Sequence, residues 1–251
     1  MGARVTIESD GGIQLAAHLA RPPVSAANQG AARNGLVLCH GFPPGPTDAP
    51  EAYPQLADRL AADCGWVVLA FSFRGTGETP GDFSLSGWMD DLRAAVAWLG
   101  SRPDVAGVWL AGFTTGGALA IVAAGEDPSI RGVASFGGPA DFDGWAANPG
   151  RFLDHCRSLG VIRSAGFPAD VEAWARELRE IRPIASIGNI PPRPVLVVHG
   201  QDDEMVPLID ARALEDASAN LAELRVLAGA GARLRHDPRA IATLIGWLER
   251  Q

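Results

Sequence analysis

The sequence predicts a three-layer α/β sandwich: a mostly parallel sheet covered by helices on both faces, with an antiparallel hairpin at its N-terminal end. Three observations carry that expectation. Short apolar runs, GLVLCH (residues 35–40), WVVLAF (66–71) and VLVVHG (195–200), read as strands buried on both faces, the pattern of parallel sheets. Helix-periodic segments separate them, and strand–helix alternation requires right-handed crossovers between parallel neighbours. Only at the start do two strand-like runs stand back to back, residues 3–8 and 13–20, split by the turn residues Asp10, Gly11 and Gly12.

After the hairpin, Pro, Ala, Asn and Gly mark a loop up to residue 34, and the first buried strand follows. Residues 52–63 have helical periodicity, and residues 84–99 form an amphipathic helix expected to carry Asp90 and Asp91 on its wet side. VWLAGF (108–113) runs directly into the apolar helix GGALAIVAAG, and RGVASFGG (131–138) is the next strand. Between it and residue 195 lies a stretch too long for a simple crossover, with helical segments around 150–159 and 170–181. We read residues 139–190 as a small helical lid inserted into a single domain spanning 1–251. LRVLAG (224–229) is the last strand, and a helix over 238–250 closes the chain with Asp237 as N-cap and Pro238 at its first position.

Composition narrows the function. The 251 residues hold 29 acidic side chains against 21 arginines and no lysine, a net charge of -8. Nucleic-acid binders need a basic footprint, so no nucleic-acid partner is expected, and the acidity also argues against long anionic substrates. Cys39, Cys64 and Cys156 are widely spaced in apolar or helical surroundings, which suggests neither a disulfide framework nor a metal site. No signal-like segment or membrane-length apolar run is present, so a cytoplasmic protein without a membrane partner is the expectation.

The segment with most chemical content is Gly112-Phe113-Thr114-Thr115-Gly116, set between a strand and a helix. A chain that turns this sharply, to project one side chain above the sheet, needs small residues two before and two after it, which is the pattern of a nucleophile elbow. A dinucleotide or phosphate loop is the competing reading. It lacks the G-x-G-x-x-G spacing, and a Walker lysine is impossible in this chain.

With four further segments in order, the chain resembles the α/β-hydrolase family, in particular small bacterial members akin to dienelactone hydrolases and serine peptidase-like esterases. The segments are His40-Gly41-Phe42, Phe73-Arg74-Gly75-Thr76-Gly77, His199-Gly200-Gln201-Asp202-Asp203-Glu204-Met205-Val206-Pro207, and the terminal loop and helix. The resemblance implies Thr114 as nucleophile where serine is usual, and Asp203 as the acid, with Asp202 as its neighbour and competitor. It places the base in the loop 229–237, where Ala232 stands at the histidine's position and His236 follows four residues later. It implies an oxyanion hole from the backbone N–H groups of Phe42 and Thr115, and no cofactor or metal.

The functional expectation is hydrolysis of a small carboxylic ester or related acyl bond by an atypical triad. The alternative is a non-catalytic ligand-binding protein, or an inactivated form of an active hydrolase. His40 and His199 are expected to be structural. Asp141 is expected to cap a helix, and Trp145, Phe152, Phe167 and Trp174 either line an acyl pocket or pack the lid onto the body.

Overall fold

The computed structural model describes residues 2–23, 31–43 and 52–251. One eight-stranded sheet has the order β1-β2-β4-β3-β5-β6-β7-β8. Its strands are β1 (Ala3–Glu8), β2 (Gln14–Ala20), β3 (Arg33–Cys39), β4 (Val67–Phe71), β5 (Val105–Phe113), β6 (Ile130–Phe136), β7 (Val195–Gly200) and β8 (Glu223–Leu227). β1 pairs with β2 and β2 with β4 in antiparallel fashion, and every other pair is parallel. The expected hairpin is therefore present, turned by a single 3-10 turn at Asp10–Gly12. The loop expected up to residue 34 runs through residues 24–30, which lie outside the described residues, and its last two positions already belong to β3.

The period-2 geometry of strands sorts the core into two layers. From β3, Val37 and Cys39 join one cluster and Leu36 and Leu38 the other; from β4, Val67 and Leu69 part from Val68 and Ala70 in the same way. The first layer is covered by α2 (Leu85–Gly100), α3 (Thr115–Glu126) and α8 (Leu208–Ala217). The second is covered by α1 (Ala52–Cys64) and α9 (Pro238–Leu248). Between β6 and β7 lie α4 (Asp143–Ala146), α5 (Pro149–Ser158), α6 (Val171–Glu180) and α7 (Pro183–Ser186), of which α5 and α6 stand where helices were expected. Asp237 accepts from Arg239 N–H and begins α9, as its sequence predicts, and Ser84 accepts from Gly87 N–H and begins α2. The periodicity reading did not single out α8 or the two one-turn helices α4 and α7. Among the described residues, no helix is long and apolar enough to cross a membrane.

One expectation fails. Asp91 is not on a wet face but completely buried, with Oδ1 2.7 Å from Arg74 Nη2 and 2.7 Å from the Ser9 hydroxyl. Its other oxygen accepts the Arg74 N–H at 2.8 Å. A buried carboxylate is tolerable when paired and fully hydrogen-bonded, and the partner here comes from the loop after β4, outside the helix whose period was read.

β3 lies between β4 and β5, so the chain leaves β3 for one neighbour and later returns to the other. Loops after β3 and β5 consequently diverge at the carboxyl ends of these strands and leave a crevice, the usual place for a ligand in an open α/β sheet.

Candidate active site

The elbow stands at that crevice. Thr114 joins β5 to α3 with φ 47° and ψ -121°, a conformation that glycine adopts freely and a β-branched residue only under strain. Its backbone is held from both sides: the N–H donates to Phe136 O on β6 at 2.7 Å, and the C=O accepts from Gly117 N at 2.9 Å and Ala118 N at 3.1 Å. The flanking glycines are needed for space. A Cβ on Gly112 would come within 2.6 Å of Gly117 N, and one on Gly116 within 2.8 Å of Cys39 O on β3, with closer overlaps besides.

The loop after β3 supplies the opposite wall. A side chain on Gly41 would overlap Thr114 Oγ1, so glycine is what lets the hydroxyl reach the backbone of this loop. His40 fixes the loop's path: Nδ1–H donates to Gly41 O at 2.7 Å, and Nε2 accepts from Phe73 N–H at 3.1 Å. Burial pushes its pKa down to about 4, the Gly41 carbonyl bond working against that shift and the Arg235 charge adding to it. His40 is thus a neutral structural imidazole of one tautomer, as expected. Neither Phe42 N–H nor Thr115 N–H has an acceptor among the described residues. Thr115 opens α3, where first-turn N–H groups have no intrahelical partner and the helix dipole favours negative charge.

These groups open on a cavity of about 880 Å³ lined by Phe42, Thr114, Thr115, Ala232 and His236, together with Trp145, Phe152 and His155 from α4 and α5. Phe42 sits in an aromatic cluster, its ring centroid 5.2 Å from Trp145 and 5.6 Å from Phe152. The four aromatic residues expected in the lid thus divide. Trp145 and Phe152 line the cavity, whereas Trp174 is buried with its Nε1–H on Phe83 O at 3.2 Å, and Phe167 packs against the core. Asp141 takes the helix-starting role, accepting from Asp143 N–H at 2.9 Å.

The acid and base positions do not come together in the same way. The Asp203 side chain is fully buried, whereas Asp202 is exposed. Asp203 Oδ1 accepts from Met205 and Val206 N–H, both at 2.9 Å, but Oδ2 has no hydrogen-bond partner. His199 Nε2 lies 3.9 Å from Oδ2 and is instead 2.9 Å from Val206 O, which makes His199 structural as expected. A Cβ built on Gly137 would meet Asp203 Oδ2 at 3.5 Å and Leu234 Cδ1 at 3.6 Å, so a leucine methyl borders the space beside the unmet oxygen. Asp203 is not among the residues that line the cavity. Ala232 is half-buried in the cavity wall, and His236 is exposed at the end of a 3-10 turn, Leu234–His236. The His236 Nε2 accepts from Arg235 Nε–H at 2.8 Å.

The structure therefore brings Thr114, Phe42, Thr115, Ala232 and His236 around one space, and leaves Asp203 out of its lining. Sequence reasoning missed Tyr53, Arg233 and Arg235 as lining residues. The two arginines were legible, being in the loop read for its histidine.

The sequence profile of the alpha/beta hydrolase family matches residues 36–244. Among solved structures, Est1E from Butyrivibrio proteoclasticus is 20% identical with a TM-score of 0.71, over 98% of this chain and 96% of that one. The esterase domain of a Rhodothermus marinus protein is 22% identical with a TM-score of 0.71, over 100% and 97%. The Pyrococcus furiosus esterase Pf2001 is 19% identical with a TM-score of 0.71, over 100% and 92%. At such identities the likeness is one of fold. No curated protein sequence matches the chain.

Proposed function

The chain belongs to the alpha/beta hydrolase family, and from that premise we propose that it is a slow hydrolase of small carboxylic esters acting through Thr114. The observation that carries the reading is the Thr114 backbone, φ 47° and ψ -121°. A threonine is held there at a cost of about 1–3 kcal/mol, and what that conformation provides is a hydroxyl projecting beside two unspent N–H donors. The ester carbonyl oxygen accepts from Phe42 and Thr115 N–H, Thr114 Oγ1 attacks the carbonyl carbon, and the donors hold the oxyanion. His236 takes the hydroxyl proton and returns it to the leaving alcohol, and water then hydrolyses the acyl-threonine by the same steps. For this the imidazole must release Arg235 or work through Nδ1. Asp203, whose Oδ2 has no hydrogen-bond partner, does not serve as the orienting acid, and the hindered threonine hydroxyl makes turnover slow. Helices α4–α7 act as the lid over the acyl group. The esterase titles of the fold relatives favour the same bond type.

A second reading, ligand binding without turnover, is favoured by Ala232 together with the unmet Asp203 Oδ2. Hydrolysis of p-nitrophenyl acetate separates the two. The slow-enzyme reading expects the unaltered chain to exceed Thr114→Ala and to fall with His236→Ala. Thr114→Ser with Ala232→His should raise turnover by about 10²–10⁴-fold, the usual worth of a positioned general base. If the unaltered chain equals Thr114→Ala while the double variant is active, the binding reading holds. If the double variant is also inert, the assignment of the site is wrong.

A further inference from the structure

The cavity carries a charge distribution opposite to that of the chain. The whole molecule has a net charge of -8, yet Arg163, Arg233 and Arg235 all line this one space. Arg163 is occupied, its Nε on Gly160 O at 2.8 Å and its Nη2 on Gly75 O at 3.2 Å. Among the described residues, Arg233 and Arg235 have no carboxylate within 4.0 Å, although acidic side chains outnumber arginines 29 to 21.

Arg235 is also held in place. Its Cζ lies 5.5 Å from the ring centroid of the buried Tyr53, and its Nε is directed to His236. Held by Nε on His236 and by a side-chain hydrogen bond to the Tyr53 hydroxyl, the guanidinium still has N–H groups left to offer a carboxylate. The charge of Arg235 is felt inside the site, where it opposes the upward push of burial on the Tyr53 hydroxyl and helps hold His40 neutral. Among the described residues, the two carboxylates that line the cavity are engaged elsewhere. Asp210 Oδ2 accepts from Ala140 N–H at 3.1 Å, and Asp141 faces Arg182 at 3.8 Å besides starting α4.

We propose that Arg235, assisted by Arg233, is a recognition site for a carboxylate on the acyl compound that occupies this cavity. The ligand class is a short acyl compound with a free acid group, such as a dicarboxylic acid monoester. The aromatic wall of Phe42, Trp145 and Phe152 takes its apolar part, and the arginines on the loop before α9 take its charge. This rests on the cavity being the acyl-binding site of the proposed function, but not on turnover there. It also refines the expectation from net charge, which argues against long anionic substrates and leaves room for one carboxylate beside arginines that have no carboxylate partner among the described residues.

The test is direct binding of monomethyl glutarate against its neutral counterpart dimethyl glutarate, measured calorimetrically on the Thr114→Ala protein so that hydrolysis cannot consume either probe. The monoester should bind at least tenfold more tightly, and the preference should shrink as salt rises from about 0.02 M to 0.5 M. Arg235→Met keeps an unbranched chain over Tyr53 and removes the charge; it should abolish most of the preference, and Arg233→Gln should remove a smaller part. Equal binding of the two probes in low salt overturns the proposal, as does a preference that survives in the Arg235→Met, Arg233→Gln protein. Because both probes present an ester carbonyl, failure of both to bind would overturn the proposal together with the acyl-site reading, and an inert enzyme with the expected preference would leave the carboxylate site standing.

Discussion

The turn between β5 and α3 and the loops that carry Asp203 and His236 border the same cavity region, and they are tied down to different degrees. At the elbow the Thr114 backbone is held on both sides, N–H to Phe136 O and C=O to Gly117 and Ala118, and the His40 ring ties the facing loop to Gly41 and Phe73. In the loop after β7 the buried Asp203 keeps an unmet oxygen, and in the terminal loop Ala232 stands in the cavity wall with His236 exposed beside it. The elbow is specified by sterics that also hold β3, β5 and α3 together, so it persists because the fold requires it. His236 stands exposed on a 3-10 turn, so the packing of its loop does not depend on it.

That difference should be measurable as stability. Gly116→Ala forces a Cβ against Cys39 O and the His40 carbonyl, and we expect a loss of about 3 kcal/mol or more, or failure to fold. Gly231→Ala in the other loop meets only Asp202 O at 3.6 Å, and should change stability by less than about 0.5 kcal/mol. Urea unfolding of both proteins checks the contrast, which breaks if the two changes come out alike.

A comparable effect is expected from pH. Burial lowers the His40 pKa to about 4 in the folded chain, below the ordinary value near 6.5. The unfolded chain therefore binds the extra proton first, so stability rises with pH across this window. It is complete above about pH 6.5 and falls by about 3 kcal/mol as pH drops to about 4. Urea midpoints at pH 7 and 4.5 should diverge less in His40→Asn, and an imidazole titrating above pH 6 by NMR would remove the argument.

The smallest effect is at the elbow residue. Thr114→Gly relieves the positive φ and should raise stability by about 1 kcal/mol while removing the hydroxyl. A drop in melting temperature would mean that the backbone is not strained and that side-chain packing holds Thr114 in place.

Much of the architecture was legible because strands and caps announce themselves locally: the hairpin through Asp10-Gly11-Gly12, α9 through Asp237-Pro238, the elbow through Gly112 and Gly116. What escaped depends on distant partners. Asp91 is buried because Arg74 and Ser9 meet it, 17 and 82 positions away, and periodicity within one helix contains neither. The unmet Asp203 oxygen follows from how the loop with Leu234 folds, which spacing does not reveal. Net charge, averaged over the whole surface, concealed two arginines on one cavity wall.

The Ser9–Asp91–Arg74 cluster has one more implication. It joins the N-terminal hairpin, the loop after β4 and helix α2 at a point sealed from solvent, which is the work a disulfide does in many secreted domains. Cys39, Cys64 and Cys156 are all free thiols. The long-range cross-link of this molecule is therefore non-covalent, and it holds equally under reducing and oxidising conditions.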